Sequence, residues 1–467
     1  MSLFTFKEIK DVCSGRFNRS APLTASVDEV VTDSRKPMKN ALFIALSGEK
    51  FDAHDYLGDA VRNGASLLCV EAAKADKVPA GAFAILVDSP LQAYQALAGC
   101  HRKRFPELKL AALTGSCGKT TTKEILRTIF EYAAGKEHVL ATEGNTNNQI
   151  GVPRNLLRLT GQHRYAVIEM GTNHHGEIEP LAEIAQPETS LIVSIGNCHL
   201  EFFIDLNGVA TEKSHIFSPG SVRNAVFPQE CGGNVILRKA SSSIARKLTF
   251  GESPAASLQV IYGGGNLDGS SFELVDTASG KKVSVQWNLT GRHQALNAGG
   301  AAAAALTFGI PLETIAEAIR QVQVPGFRMK RTYHQDALWI NDAYNGNPDS
   351  ICAALGWLSE FADPARLLLV LGDMGELGSE SLKGHMRVLS FAFENLPGAR
   401  IAAVGMKMTE ALAVLDLTSK HDLVTVFPDA ASAVQKVRSM AKPGDLVFLK
   451  GSRSTGLEII EPEAGRE

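Results

Sequence analysis

The chain has 467 residues, 47 Lys and Arg against 50 Asp and Glu, a formal net charge of -3, and 45% hydrophobic against 21% charged residues. Near-neutral charge supplies no basic field for nucleic acid, and no apolar run reaches the ~18 residues of a membrane span, so neither partner is expected. The length suits about three domains of ~150 residues each. The start, Met1-Ser-Leu-Phe-Thr-Phe-Lys-Glu8, lacks the pattern of a signal peptide, and the seven cysteines show no CxxC pair. Reduced thiols and a cytoplasmic location are expected.

Residues 1–107 hold short β-type runs at 30–35, 41–46, 66–70 and 84–87, separated by helical patterns. His101-Arg-Lys-Arg-Phe-Pro106 reads as a basic helix end closed by proline, which sets a boundary near residue 107.

The apolar run 108–113 predicts a buried strand, and a loop, Gly115-Ser-Cys-Gly118, follows at once. Lys119 and Thr120 then open a helix whose apolar face includes Ile125, Leu126, Ile129 and Phe130. Strand, glycine loop and helix N-terminus make a phosphate cradle. Backbone N–H groups point at the anion, and the helix dipole adds about 0.3–2 kcal/mol for negative charge. Gly115, Ser116, Cys117, Gly118, Lys119, Thr120 and Thr121 are the expected nucleotide contacts, with Lys119 on the terminal phosphate and Thr120 serving Mg²⁺. The loop is two residues tighter than the general pattern, which wants Gly where Leu113 stands. A plain Gly-rich turn with an exposed lysine is the alternative, but it leaves the lysine and three threonines after the second glycine without a reason. ATP is the expected cosubstrate.

Runs 166–170 and 191–195 are apolar but for Glu169 and Ser194, as parallel strands covered on both faces largely are. Glu169 stands at the end of the first and His199 follows the second, where functional groups of parallel sheets gather. A carboxylate and an imidazole beside a phosphate loop suit a divalent ion, although each alone is equally a hydrogen-bonded structural residue. Lys213 falls in a helical pattern over 208–217 and reads as a solvated lysine. Runs 257–262 and 282–287 alternate and predict an antiparallel flap, with Gly263-Gly-Gly265 as a turn. The Ala-rich stretch 298–305 predicts a tightly packed helix after Arg292-His293; Asn297 offers its carboxamide to an adenine edge or to the helix's own first turn.

From Gln323-Val-Pro-Gly326 onwards, runs at 338–340, 367–371, 401–404, 423–427 and 446–449 alternate with helices, a second doubly wound α/β pattern. Arg328 either reaches a phosphate across a cleft or is a surface arginine. Asn341-Asp-Ala-Tyr-Asn-Gly-Asn-Pro348 gathers hydrogen-bonding side chains around one carboxylate, Asp342, at a strand end. The expected fold is α/β in three domains. These are a small N-terminal α/β substrate domain over 1–107, a central phosphate-loop ATPase domain with a parallel sheet over 108–322, and a Rossmann-like C-terminal α/β domain over 323–467.

Taken in order, these segments resemble the Mur ligases, which extend a peptidoglycan precursor by ATP-driven amide formation. Thr114-Gly-Ser-Cys-Gly-Lys-Thr-Thr121 is similar to that family's shortened phosphate loop. Thr142-Glu-Gly-Asn-Thr-Asn-Asn-Gln-Ile-Gly151 resembles its nucleotide-sugar segment, which implies contacts from Asn145, Asn147 and Asn148. The resemblance implies Mg²⁺ ligands at Glu169 and His199, a carbamylated Lys213 supporting a second Mg²⁺, and Arg328, Asp342 and Asn345 closing over ATP. Lys119, Lys213, His199 and Arg328 are then the catalytic set. Thr32-Asp-Ser-Arg35 and Gly48-Glu-Lys-Phe-Asp-Ala-His-Asp55 resemble a uridine-binding domain, implying contacts from Asp33, Ser34 and Arg35. The segment 341–348, Leu371-Gly-Asp-Met-Gly-Glu-Leu-Gly378 with His385, and Leu449-Lys-Gly-Ser-Arg453 are similar to the branch that adds D-alanyl-D-alanine to UDP-N-acetylmuramoyl-tripeptide. His385, Lys450 and Ser452 are the implied dipeptide contacts, and a monomer is expected. The chain departs from the family pattern at Asn341, Gly346, Phe327, Glu212 and Gln294; the last leaves Asn297 as the adenine contact. A sibling ligase adding one amino acid, and a phosphate-loop NTPase or kinase, are the alternatives.

Overall fold

The computed structural model describes residues 2–48, 51–323, 329–415 and 421–462. Among them, besides a two-stranded pairing of Phe4–Thr5 with Ser26–Val27, three sheets of five, nine and six strands follow one another along the chain, each with packed helices. In the nine-stranded sheet, Lys109–Thr114 lies between Tyr165–Glu169 and Thr189–Ile192 and is parallel to both. The strands on its two sides are reached by connections that diverge, so its carboxyl end opens a crevice. Leu110, Ala111, Ala112 and Leu113 are all fully buried, as the unbroken apolar run predicts.

One face of this sheet is covered by the helix Lys119–Ala134, with Ile125, Leu126, Ile129 and Phe130 fully buried. Beside it runs the helix Arg292–Thr307. Its small residues are a packing requirement: a Cβ on Gly299 would collide with Val260, and one on Gly300 would stand 3.0 Å from the Phe250 ring. The helix therefore sits closer to the sheet than a Leu-faced helix could.

The alternating runs do form an antiparallel unit, but it is the edge of the nine-stranded sheet rather than a separate flap. Leu258–Gly265 pairs in parallel with Arg246–Gly251, then antiparallel with Ser270–Asp276, which pairs with Lys282–Trp287. Gly263 to Gly265 continue the strand across a register shift instead of turning. Gly264 at φ +95° supplies the irregular backbone that a bulge needs.

The C-terminal sheet runs, in spatial order, Lys330–His334, Ala337–Asn341, Leu446–Lys450, Leu367–Gly372, Arg400–Val404 and Val424–Phe427; only the first is antiparallel to its neighbour. The five-stranded N-terminal sheet places Ala65–Glu71 between Ala84–Val87 and Ala41–Ile44.

Strain is concentrated just after the short helix Leu200–Phe203. Ile204 has φ +69° and ψ -56°, and the Asp205 N–H donates to Phe203 O at 2.7 Å. This is a positive-φ γ-turn, which costs a β-branched residue about 1–3 kcal/mol. The side chain is 79% exposed, so burial does not offset the cost. Ile204→Gly is expected to raise the urea midpoint by an amount equivalent to about 1 kcal/mol, after allowing for the extra chain entropy of glycine. A lowered midpoint would show that the isoleucine side chain is held by contacts that outweigh its backbone.

Candidate active site

A cavity of about 1360 Å³ opens at the carboxyl end of Lys109–Thr114, between the central sheet and the C-terminal domain. Residues 193–195, expected to continue a strand, leave it to clamp the phosphate loop. The Ser116 N–H donates to Ser194 O at 2.9 Å, and the Cys117 N–H to Ser194 Oγ at 2.9 Å. Gly118 begins the helix at φ +79°, in the left-handed region, and a Cβ there would collide with the Asn297 carboxamide. Asn297 is itself steadied by Gln294, whose Oε1 accepts from Asn297 Nδ2 at 3.0 Å. The departure at Gln294 thus bears directly on Asn297, the expected adenine contact. Lys119 folds back on the loop, donating to Gly115 O at 2.6 Å. Ser116 to Thr121 line the cavity.

Glu169 ends its strand 1% exposed. Its Oε1 accepts from Thr120 Oγ1 at 3.2 Å and from Asn147 Nδ2 at 2.8 Å, and its N–H donates to Thr142 Oγ1 at 2.9 Å. Its Oε2 is buried with no partner. An orphaned carboxylate oxygen costs about 1–3 kcal/mol or more, and it is a position that could accept a cation or its water. Among the described residues no three His, Cys, Asp or Glu converge as a metal cage. One carboxylate, a hydroxyl and nearby phosphate suit Mg²⁺, which keeps most of its own water.

Lys213 is not the solvated lysine that periodicity predicts. In the helix Leu206–Ser214 it is 1% exposed, and burial brings its pKa down to about 8, with Cys198 opposing and Lys119 adding to the fall. Its neighbour Glu212, also 1% exposed, accepts from the N–H groups of Gly176, Glu177 and Ile178 at 2.8, 3.0 and 2.9 Å. That carboxylate caps the helix Ile178–Ala185, which explains a large acidic residue beside Lys213.

Asn145, Asn147 and Asn148 line the cavity on a loop fastened by two residues that the sequence reading passed over. Asn155 Nδ2 donates to Thr146 O and Gly151 O at 2.9 and 2.8 Å. Lys123, 1% exposed and paired with Glu124 at 2.8 Å, donates to Thr142 O at 2.9 Å.

The C-terminal domain contributes Asp342, Asn345 and Lys450 to the lining. Lys450 Nζ lies 2.5 Å from Asp342 Oδ2 and also reaches Asn345 O at 3.3 Å, so it positions the segment 341–348. Asn347 and Asp349, at the start of the helix Pro348–Leu358, meet the central domain. Asn347 Nδ2 is 3.1 Å from Cys117 Sγ, and Asp349 Oδ2 accepts from the Asn197 N–H at 2.8 Å. His293 also lines the cavity; its Nδ1 is buried without a partner, and burial brings its pKa down to about 4, leaving a neutral ring.

Other expected contacts lie elsewhere. His385 is fully buried, its Nε2 accepting from the Met374 N–H at 2.9 Å and its Nδ1 donating to Ser381 O at 2.7 Å, so neither ring nitrogen is open to a ligand. Ser452 accepts from the Gly375 N–H at 2.8 Å and donates to Gly346 O at 3.1 Å. Asp33 and Arg35 form a bidentate pair at 2.8 and 3.0 Å beside buried Ser34; the arginine's hydrogen bonds bring the Asp33 pKa to about 2. The N-terminal part of the cavity wall is Gly48 and Leu91, not these three. Arg328 lies outside the described residues.

Residues 113–305 match the family model described as Mur ligase middle domain, and residues 327–453 that described as Mur ligase, glutamate ligase domain. A protein of Escherichia coli (strain K12) named UDP-N-acetylmuramoyl-tripeptide--D-alanyl-D-alanine ligase is 33% identical, covering 98% of this chain and 97% of its own length. The like-named protein of Haemophilus influenzae is 35% identical over 93% of each chain. A crystal structure of MurF from Acinetobacter baumannii superposes with TM-score 0.87 at 31% identity, covering 98% and 97% of the two chains. MurF ligase from Thermotoga maritima in complex with ADP shares the fold, with TM-score 0.79 at 23% identity.

Asn155→Ala removes a buried carboxamide from four backbone or hydroxyl partners in the loop 143–151. Leaving them unpaired is expected to cost about 2–3 kcal/mol and to speed amide exchange across that loop at least about tenfold. Unchanged exchange would show that the loop is ordered by something other than Asn155.

Proposed function

The chain belongs to the Mur ligase family, and on that premise we infer that it is the ATP-dependent ligase joining D-alanyl-D-alanine to UDP-N-acetylmuramoyl-tripeptide in peptidoglycan precursor synthesis. The observation that carries this reading is the single cavity where the phosphate loop, Glu169, the loop 142–148 and Asp342 meet, in a chain aligned nearly end to end with ligases of that name.

Amide formation needs an activated acyl group. A carboxylate oxygen of the tripeptide attacks the γ-phosphorus of ATP, the bond to ADP breaks, and an acyl phosphate forms. The dipeptide's neutral amine attacks the acyl carbon, the bond to phosphate breaks, and the nitrogen loses its proton. The first step brings two anions together, so its chief demand is charge neutralisation and alignment. Lys119 leaves Gly115 O for the phosphate, the start of Lys119–Ala134 faces it with N–H groups, and Arg328 adds a second cation. Asn297 and His293 hold the base, and Asp342 and Asn345 hold the remainder of the nucleotide from the C-terminal side. Asn145, Asn147 and Asn148 receive the nucleotide-sugar, with Asp33, Ser34 and Arg35 further along it.

Two Mg²⁺ ions fit the donor set: Thr120, Glu169 and His199 would hold one, and Lys213 the other. Bound Mg²⁺ supplies neutralisation of phosphate charge. Lys213 would do so as a carbamate, formed when its neutral amine adds CO₂ and releases a proton; a pKa near 8 leaves a useful share of neutral amine. His385 and Ser452 act by fixing the loop after Leu367–Gly372, rather than by touching the dipeptide. The three segments 1–107, 108–322 and 323–467 are the proposed domains, hinged near 107 and 323 and closing over the substrates as a monomer. No helix among the described residues is long and apolar enough to cross a membrane, and the cytoplasm, where ATP is present, is the proposed compartment.

Phosphate release is to be measured with ATP, Mg²⁺ and UDP-N-acetylmuramoyl-tripeptide, with and without D-alanyl-D-alanine. Release that requires the dipeptide, with the matching mass gain in the nucleotide product, is expected. Release requiring a single amino acid and a shorter precursor would make the chain a sibling ligase, and release indifferent to both a plain NTPase. Lys213→Ala is expected to lose at least about a hundredfold in rate and to regain part of it with added short-chain carboxylic acids, which stand in for the carbamate. Full activity in the variant, or no rescue, would remove Lys213 from the mechanism.

A further inference from the structure

The segment Leu371-Gly-Asp-Met-Gly-Glu-Leu-Gly378 has no direct role in the chemistry above, yet it reaches across to the central domain. Its first residues are fastened one by one to the C-terminal domain. Asp373 Oδ1 accepts from the Met408 N–H at 2.8 Å, the Met374 N–H donates to His385 Nε2 at 2.9 Å, and the Gly375 N–H donates to Ser452 Oγ at 2.8 Å. The next residue, Glu376, leaves this platform. Its Oε2 lies 2.5 Å from His199 Nδ1, and its carbonyl accepts from the Glu201 N–H at 3.4 Å. Gly378 closes the approach: a Cβ there would stand 2.9 Å from Glu201 Cα.

Both sides of this contact are strained. His199, Ile204 and Glu376 have φ of +51°, +69° and +60°, none of them glycine. Such residues persist where the surroundings fix them, and they gather where geometry serves function. As glue the contact is weak. The Glu376 side chain is 51% exposed, and an ion pair so open to water contributes about 0–1 kcal/mol. The close approach also falls outside regular hydrogen-bond angles, since His199 Nδ1 has no partner by that measure. A contact that adds so little stability, held by strained backbone on both sides, is better explained by what it does to the imidazole.

We propose that Glu376 is a positioning residue for His199. It engages Nδ1 only when the C-terminal domain is docked, and so turns the ring to leave Nε2 for the divalent cation. Docking of that domain would then complete the cation site as well as the nucleotide site. His385 and Ser452 serve the same end by holding the platform from which Glu376 projects. Carboxylates that orient a ligating imidazole are a general device, and their loss costs about 10–100-fold in metal affinity. The inference rests on His199 as a cation ligand, and the test separates the two claims.

Mn²⁺ binding to the full chain is read by electron paramagnetic resonance of the free ion, with a non-hydrolysable ATP analogue present. Wild type is compared with Glu376→Ala, Glu376→Gln, His199→Ala and the Glu376→Ala/His199→Ala double variant. Glu376→Ala is expected to weaken Mn²⁺ binding about tenfold or more. Glu376→Gln, which keeps an acceptor oxygen, should lie between Ala and wild type, more than about twofold weaker than the latter. On the His199→Ala background, Glu376→Ala should add nothing. Should Glu376→Ala fail to fold, Glu376→Gln decides alone, on condition of a wild-type urea midpoint. Binding within about twofold of wild type in the Glu376 variants, with His199→Ala weakened, overturns the role of Glu376 and leaves the cation site standing; so does a full additional loss in the double variant. No loss in His199→Ala overturns the cation site itself.

Discussion

A carboxylate at the buried end of a parallel strand must find its partners away from water, and Glu169 organises the crevice by that need. Burying it without compensation would be prohibitive. Its partners come from separate segments: the Thr120 hydroxyl from the phosphate-loop helix, the Asn147 carboxamide from the loop 142–148, and the Thr142 hydroxyl on its backbone. Each of those segments is thereby tied to the others. One oxygen is left over without a hydrogen-bond partner, on a residue that lines the cavity.

The same constraint repeats around it. Lys123, Glu212 and Lys213 are each 1% exposed. Lys123 and Glu212 are matched to backbone groups, Lys123 to carbonyls of the loop 142–148 and Glu212 to the N–H groups that start Ile178–Ala185. They make the cavity wall rigid. Lys213 has no comparable carboxylate partner in this set, and burial accordingly moves its proton equilibrium. A buried amine that feels Lys119 and whose pKa falls to about 8 is a candidate for chemistry.

The sequence displays the sheets well because buried parallel strands must be apolar on both faces; 108–113 and 367–371 each appear within about a residue of their true bounds. Strand 191–195 reads long, since Val193 and Ile195 are apolar for a different reason: with Ser194 between them they back the phosphate loop. Gly263 to Gly265 misread as a turn because glycine serves bulges and turns alike. Gly118, Lys119 and Thr120 are legible because their spacing is itself the chemistry. Lys213 is not, because a helical pattern gives the direction of a side chain but not what covers it. Asn155, Lys123 and Glu212 escape for a related reason: their partners are mostly main-chain groups that only folding brings near. His385 and Ser452 carry the opposite lesson. Their motif is distinctive, yet their polar atoms are taken up in holding the loop from which Glu376 extends.

The central claim is that the unpartnered Glu169 oxygen is a cation position at the mouth of the phosphate loop. The most direct measurement is anomalous X-ray scattering from a crystal of the protein with Mn²⁺ and a non-hydrolysable ATP analogue. The account predicts a manganese peak at about 2.1–2.2 Å from Glu169 Oε2, bridging towards the nucleotide's phosphates. Manganese held by the phosphates and water alone, with Glu169 Oε2 still unpartnered, would contradict it.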